Sequence, residues 1–456
     1  MKILVTGSTG LIGKELCRKL FEQGHQVVTL SRTPRPDLFG FPVESFRWAS
    51  CYDTPPAEAL ENLDGVINLA GEPIFGSYFS SSKKQAIWDS RVVGTQNLVK
   101  ALKEAQVDLK FYIGASAIGF YDFGAERKTE GSPAGQHWLA QLCQAWEKEH
   151  YNAPSERHAV IRIGLVLSHG ADLVQKILTS ALTNIIPRFG TGKQIMSWIH
   201  QEDLSNIFIA AVEGKLEGPI NGVAPKPVAA EQFNDIAASF FKRRIFHVPV
   251  PSVAMKLFAG EPASVILESQ DVSSEALKQI SFKFNYSHVR IALKDALGLA
   301  KNPKTLEEEP CYTYEVFQHI SRKPEKIWPF FCDPYNLEKI TPSSLNFKIA
   351  KLSDKKMKED LKIDYQLKLR GISFNWRTNI EEVHDYKSFV DTQIKGPYRV
   401  WRHTHSFKAC EQGTMMQDRV SYQLPLLPFS LLAFPFVSSE LDRIFGFRFK
   451  KIKQEF

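Results

Sequence analysis

Short apolar runs alternate with stretches of helical period through residues 1–298, and beyond residue 310 the pattern becomes long strands of alternating polarity. Ile3, Leu4 and Val5 form an apolar strand that runs straight into Gly7, Gly10 and Gly13. The segment KELCRKLFEQGH behind them puts Leu16, Leu20 and Phe21 on one face and stops at Gly24, the signature of an amphipathic helix. Further strands are predicted at 25–32, 44–49, 64–71, 110–117 and 158–167, with a long helix over 81–105. The run at 64–71 is almost continuously apolar, as a parallel strand buried on both faces must be. From about residue 168 the pattern loosens into helices and loops rich in Gly and Pro, the composition of a substrate-facing lobe. The alternation predicts an α/β fold built on a doubly wound parallel sheet.

The segment KNPKTLEEEP (301–310) is polar, charged and flanked by prolines, so 299–310 is expected to be a linker. Alternating strands follow at 314–320, 364–383, 388–394, 398–409 and 414–424, bracketed by the helical stretches KPEKIWPFFC and SSELDRIFGFRFKKIKQ. An antiparallel sheet folded around a long terminal helix predicts a second, α+β domain over 311–456 with an internal cavity. Trp328, Phe330, Phe331, Phe374, Trp376 and Trp401 are candidates to line that cavity, although core packing is the ordinary fate of any one aromatic.

The glycine turn carries the first chemistry. Gly7 permits a tight bend, Gly10 lets the backbone approach a pyrophosphate, and Gly13 lets helix and strand pack closely. The helix N-terminus then offers free N–H groups and a positive dipole end to phosphate. An NAD-binding unit usually carries Asp or Glu at the end of its second strand, to take the ribose hydroxyls. None occurs between Gln23 and Pro36. Arg32, with Arg35 nearby, suits a 2′-phosphate instead, so NADP(H) is favoured over NAD(H).

Length and composition narrow the alternatives. At 456 residues the chain is long enough for two or three domains, and its 43% hydrophobic content fills proper cores. The net charge of +7 is modest, and its Lys and Arg are scattered among acids, which argues against nucleic acid as a partner. Six cysteines without paired spacing point to reduced thiols and a cytoplasmic location. With the first strand at the N-terminus, no signal peptide is expected. The longest apolar run, 424–437, is broken by Pro425, Pro428 and Pro435 and is too short to cross a bilayer.

Together, the glycine turn, LAGEP (69–73), DSR (89–91), GASAIGFY (114–121), HWLAQLCQAWE (137–147), RIGLVL (162–167) and SWIHQEDL (197–204) resemble an atypical extended short-chain dehydrogenase/reductase. More narrowly, residues 1–298 resemble its epimerase-like branch in the NAD-dependent epimerase/dehydratase superfamily, with a family-specific C-terminal extension at about 245–297. The tail, 311–456, resembles the helix-grip superfamily of START and polyketide-cyclase-like ligand-binding domains, most tellingly in FFCDPYNLEKITP (330–342). The resemblance implies a Rossmann-type sheet followed by a helix-grip domain. It also implies a cofactor held by Gly7, Thr9, Gly10, Leu11, Ile12, Gly13, Arg32, Leu69, Ala70, Gly71, Glu72 and Ser116.

Ordinary members pair a serine with Tyr-x-x-x-Lys on the helix after the fifth strand, and the tyrosine exchanges a proton while hydride moves to or from nicotinamide. Ser116 matches the serine, but Trp138 and Leu142 stand where the pair is expected. Replacement acids are then Tyr121, Glu72, His200 or Asp203. Arg91 and His200 are candidate substrate contacts, Arg91 being equally suited to a structural ion pair. No metal site is expected. HQEDL (200–204) lacks further ligands, which leaves Asp203 a capping or hinge role. His403 and His405 share one face of a strand with no carboxylate near them in sequence, so sheet packing is expected of them. Two readings follow. One is an NADP(H)-dependent oxidoreductase or epimerase-like enzyme acting on a small, lipophilic molecule. The other is a non-catalytic NADPH sensor coupled to a domain that binds a hydrophobic ligand. A homodimer is compatible with either.

Overall fold

Strand β1 (Lys2–Thr6) is buried along almost its whole length, and helix α1 (Leu11–Glu22) covers it with Leu16, Cys17, Leu20 and Phe21. Around this unit the computed structural model describes residues 1–74, 80–259, 263–369, 371–425 and 433–456. The chain divides into two units. The first comprises Met1–Val174, Ile185–Ser239 and Ile245–Leu293; the second comprises Gln175–Asn184, Phe240–Arg244 and Lys294–Phe456.

The first unit holds a sheet of β1, β2 (Gln26–Ser31), β3 (Glu44–Arg47), β4 (Gly65–Asn68), β5 (Phe111–Ala117), β6 (His158–Ile163) and β7 (Gly218–Gly222). Its spatial order is β7-β6-β5-β4-β1-β2-β3, and every neighbouring pair is parallel. The order reverses between β1 and β4, which opens a crevice at their carboxyl ends, where such sheets take dinucleotides. Helices α2 (Ser81–Glu104), α3 (Trp138–Tyr151) and α4 (Gln201–Val212) complete the layers that matter for the site.

Two strands of this first-unit region depart from the sequence expectation. The predicted strand over 158–167 breaks at Gly164, where a Cβ would lie 2.8 Å from Val223 Cγ1 and 2.9 Å from Ser197 O. Beyond the break, Leu165–Leu167 leaves the main sheet to pair with Trp198–His200. Strand β7, GPING, falls inside the stretch read as a loose lobe; a proline and two glycines hide its pattern, and its place at the sheet edge tolerates the proline.

The second unit holds an antiparallel sheet of β8 (Tyr312–Ile320), β9 (Lys348–Leu352), β10 (Lys362–Leu369), β11 (Ile372–His384), β12 (Ser388–Lys395), β13 (Val400–Cys410) and β14 (Gly413–Gln423), ordered β8-β14-β13-β12-β11-β10-β9. The single strand predicted at 364–383 is a hairpin instead, turned at Gly371 with φ +86°. Register shifts between β11 and β12 and between β9 and β10 curve the sheet. Helix α5 (Pro324–Phe331) and the terminal helix α6 (Phe434–Glu455) pack with it, α6 burying Leu441, Phe445, Arg448 and Ile452 along one face. Part of the predicted apolar run 424–437 lies outside the described residues. The segment 299–310, expected as a linker, forms a small hairpin between Ala300–Lys301 and Glu308–Glu309 within this unit. Among the described residues, no helix is long and apolar enough to cross a membrane.

Candidate functional site

The β1–α1 turn is shaped by its glycines. Gly7 has φ +61°, and a Cβ there would lie 2.6 Å from Leu69 O. A Cβ on Gly13 would lie 2.3 Å from Gly7 O, so only glycine lets α1 start this close to the strand. At Gly10 the nearest atom is 3.2 Å away, which leaves its outer side open. Helix α1 has no side-chain cap and no acidic residue in its first turn, so its leading N–H groups stay available to an anion. Ser8 Oγ is buried in the same turn without a hydrogen-bond partner. These features fit a dinucleotide pyrophosphate.

Residues 69–72 form the opposite wall. Thr6 Oγ1 donates to Asn68 Oδ1 at 2.6 Å and accepts from the N–H groups of Leu69 and Ala70, both at 3.1 Å, which ties the end of β4 to β1. Arg91 lies beneath Gly71, where a Cβ would come within 2.9 Å of its guanidinium carbon. Its Nη1 donates to Glu72 O at 2.9 Å. Burial lowers its pKa to about 10, leaving it charged at neutral pH. The guanidinium thus holds the loop in place through backbone carbonyls, and no ion pair to it is seen among the described residues.

At the end of β2, Arg35 is committed to Asp37 through Nε and Nη2. Arg32 is 80% exposed and has only a 4.0 Å approach to Glu72, whose other carboxylate oxygen takes Lys83 at 2.8 Å. Among the described residues, Arg32 is therefore the cation of this strand end that remains open to a ligand.

Ser116, at the end of β5, donates to Glu147 Oε1 at 2.6 Å. Glu147 stands on α3 and accepts Arg162 Nε and Nη2 at 2.9 and 2.8 Å. Arg162 also donates to the Tyr121 hydroxyl at 2.9 Å, and that hydroxyl donates to Asn221 Oδ1 at 2.7 Å. All five side chains are buried. Burial pulls the Arg162 pKa down, but Glu147 and Tyr121 outweigh it and hold the guanidinium above its ordinary value. Burial raises the Tyr121 phenol, the opposite of what a proton-exchanging tyrosine needs. Tyr121 is a strut of this network. Glu147 and Arg162 escaped the sequence reading, although a charge inside the apolar run HAVIRIGLVL signals a buried partner.

His200 and Asp203 are also engaged. His200 stacks on Tyr286 at 3.6 Å and caps α4 by accepting from Glu202 N at 3.2 Å. Asp203 accepts from the N–H groups of Asn285 and Tyr286 at 2.8 and 2.9 Å, pinning that loop, and burial raises its pKa.

In the second unit, a cavity of about 160 Å³ lies between sheet and α6. Phe331, Tyr365, Trp376, Phe389 and Trp401 contribute to its walls. Its polar side carries His403 and His405, and here the expectation from sequence fails. Cross-strand register sets Asp391 opposite His403 and Asp418 opposite His405, so both imidazoles stand against carboxylates.

Comparisons with known proteins agree with the first unit. The NAD dependent epimerase/dehydratase family matches residues 3–223, and a domain of unknown function, DUF1731, matches residues 250–296. The chain is 32% identical over 316 residues to the chloroplastic epimerase family protein SDR39U1 homolog of Arabidopsis thaliana, covering 64% of this chain and 86% of that protein. It is 33% identical over 303 residues to the epimerase family protein YfhF of Bacillus subtilis, covering 65% of this chain and 98% of that one. The crystal structure of human epimerase family protein SDR39U1 with NADPH is similar at 28% identity and a TM-score of 0.57, over 66% of this chain and all of that one. With its glycine turn, Rossmann-type strand order and these matches, the chain belongs to the NAD dependent epimerase/dehydratase family, with a DUF1731 region following.

Proposed function

We propose that the first unit is an NADP(H)-dependent oxidoreductase or epimerase-like enzyme for a small organic substrate bearing a hydroxyl or carbonyl. The observation that carries the cofactor assignment is Arg32, open at the end of a second strand that lacks any carboxylate. NADPH in the human relative supports the same choice. Gly7, Thr9, Gly10, Leu11, Ile12 and Gly13 would hold the pyrophosphate, Arg32 would take the 2′-phosphate, and residues 69–72 would contribute backbone contacts to the bound nucleotide. When bound, the nicotinamide supplies or receives hydride.

The chain's own part is proton handling. Ser116 gives its hydrogen bond to Glu147 and also meets the Cys143 thiol, and its Oγ keeps a lone pair to accept from a substrate hydroxyl. As that hydroxyl is oxidised, its proton moves to Ser116 Oγ while the serine proton passes to Glu147 Oε1. Two hydrogen bonds from Arg162 fix the Glu147 carboxylate with Oε1 turned to Ser116. The carboxylate thus replaces the missing Tyr/Lys pair. The test is NADPH oxidation across a panel of carbonyl compounds. Turnover should fall at least about 100-fold in Ser116→Ala and in Glu147→Gln, the range of a lost general base. Unchanged turnover in both variants contradicts the proton route.

A second reading rests on the same network. Ser116, Glu147 and Arg162 are already mutually satisfied, as suits a site that binds NADPH and reports its occupancy without turnover. The second unit is proposed to be a helix-grip domain whose aromatic cavity takes the lipophilic molecule. The curved antiparallel sheet and its long terminal helix support that assignment.

A further inference from the structure

The polar side of the second unit's cavity holds an arrangement that the proposed function does not use. His403 and His405 lie two apart on β13 and so share a face. Asp391 on β12 and Asp418 on β14 flank them in register. The distances form a closed ring. Asp418 Oδ1 lies 2.9 Å from His403 Nε2, a hydrogen bond, and 2.7 Å from His405 Nδ1, a contact not aligned as one. On the far side, Asp391 Oδ2 lies 3.4 Å from His403 Nδ1 and 3.2 Å from His405 Nε2, the latter a hydrogen bond. Both histidines and Asp418 are buried, and Arg448 Nη1 approaches Asp418 Oδ1 at 3.5 Å from α6.

Counting protons shows what this ring lacks. A neutral imidazole has one N–H and one lone pair. His403 gives its Nε2–H to Asp418 and His405 its Nε2–H to Asp391. With both imidazoles neutral, electron-rich atoms then face one another at two corners of the ring: His403 Nδ1 with Asp391 Oδ2, and His405 Nδ1 with Asp418 Oδ1. A cation among Asp391, His403 Nδ1 and His405 Nε2, with the His405 proton moved to Nδ1 against Asp418, relieves both contacts.

We propose that Asp391 Oδ2, His403 Nδ1 and His405 Nε2 bind one divalent first-row transition cation, with Asp418 as the outer carboxylate that orients both histidines. One ligand atom from each of the three residues lies within 4.8 Å of the other two. The two separations from Asp391, 3.2 and 3.4 Å, match what bonds of about 2.1 Å produce, since tetrahedral to octahedral angles put donors about 3.0–3.4 Å apart. Two imidazoles with a carboxylate suit Zn²⁺, Fe²⁺, Co²⁺ or Ni²⁺ over Mg²⁺ or Ca²⁺, which prefer oxygen donors alone. A carboxylate accepting the second ring nitrogen of each ligand is the usual outer partner of metal-bound histidine. Three protein ligands leave coordination positions open, and Asp391, His403 and His405 all line the cavity. The cation would accordingly take an oxygen or nitrogen donor from a molecule whose apolar body rests on Tyr365, Trp376 and Phe389. This inference stands on the ring's geometry and is independent of cofactor binding in the first unit.

The test uses the untagged full-length protein, stripped with a chelator and titrated with Co²⁺ as the probe. The wild type should take up one Co²⁺ per chain and develop the intense visible absorption of low-coordinate cobalt. His403→Ala and His405→Ala should lose it, near-isosteric Asp391→Asn should weaken binding at least 10-fold, and Asp418→Asn about 10–100-fold. Circular dichroism and thermal unfolding of each variant identify those that keep the fold, and only these are compared. A wild type that takes up no stoichiometric Co²⁺ overturns the proposal, as does equal uptake by wild type and a folded His403→Ala or Asp391→Asn protein.

Discussion

His150 lies with its ring against Gly114, where a Cβ would come within 2.3 Å of it, and its Nε2 is 3.0 Å from Ala115 O. Burial lowers this imidazole to about 4, whereas in the unfolded chain it titrates near 6.5. The folded state thus binds this proton less tightly than the unfolded state does. Stability from this group is complete above about pH 6.5 and is lost as pH falls toward 4, by about 3 kcal/mol in all. Urea unfolding of wild type and His150→Leu across that window checks the sign, because the variant should lack this part of the acid slope. Parallel slopes would remove His150 from the account. Gly13→Ala puts its methyl 2.3 Å from Gly7 O and should destabilise the protein by about 1–3 kcal/mol in thermal unfolding, with weaker NADPH binding. The glycines were legible in the sequence because backbone geometry alone demands them. The surroundings of His150 were not, since they depend on which strand lies under α3.

Elements bring the charged network together. Arg162 comes from β6 and Glu147 from α3, and each is buried because the other is. Removing the arginine alone strands a buried carboxylate, so Arg162→Met should cost about 3–5 kcal/mol in denaturant unfolding. The double variant Glu147→Leu/Arg162→Met should recover much of that loss, giving a coupling a double-mutant cycle can read. A double variant as unstable as the sum of the single changes would mean that the two charges do not act as a pair. Sequence showed most strands through their periodicity, including the glycine-bounded β1 and the buried β4. It missed β7, whose Gly and Pro carry no apolar pattern, and the five-residue β9, and it fused β10 with β11 across Gly371. Cross-strand register is invisible in one sequence. For that reason His403 and His405 read as isolated, although Asp391 and Asp418 sit directly opposite them.

At the scale of the whole molecule, the chain joins two units with separate chemistries. The first has the parallel sheet, reversed strand order and glycine turn of a dinucleotide-binding fold, and its family membership rests on the matches to its relatives. The second has a curved antiparallel sheet around an aromatic cavity. The features that favour NADP(H), a missing carboxylate and a nearby arginine, were legible because they are local in sequence. The Ser116–Glu147–Arg162 hydrogen-bond network depends on three elements meeting, which no local pattern encodes. The most direct measurement is calorimetric titration of the full-length protein with NADPH and with NADH. NADPH should bind at least about tenfold more tightly, a difference of about 1.4 kcal/mol, and Arg32→Ala should erase that preference while leaving NADH binding unchanged. No heat with either coenzyme, or a preference for NADH that Arg32→Ala does not alter, would contradict the account.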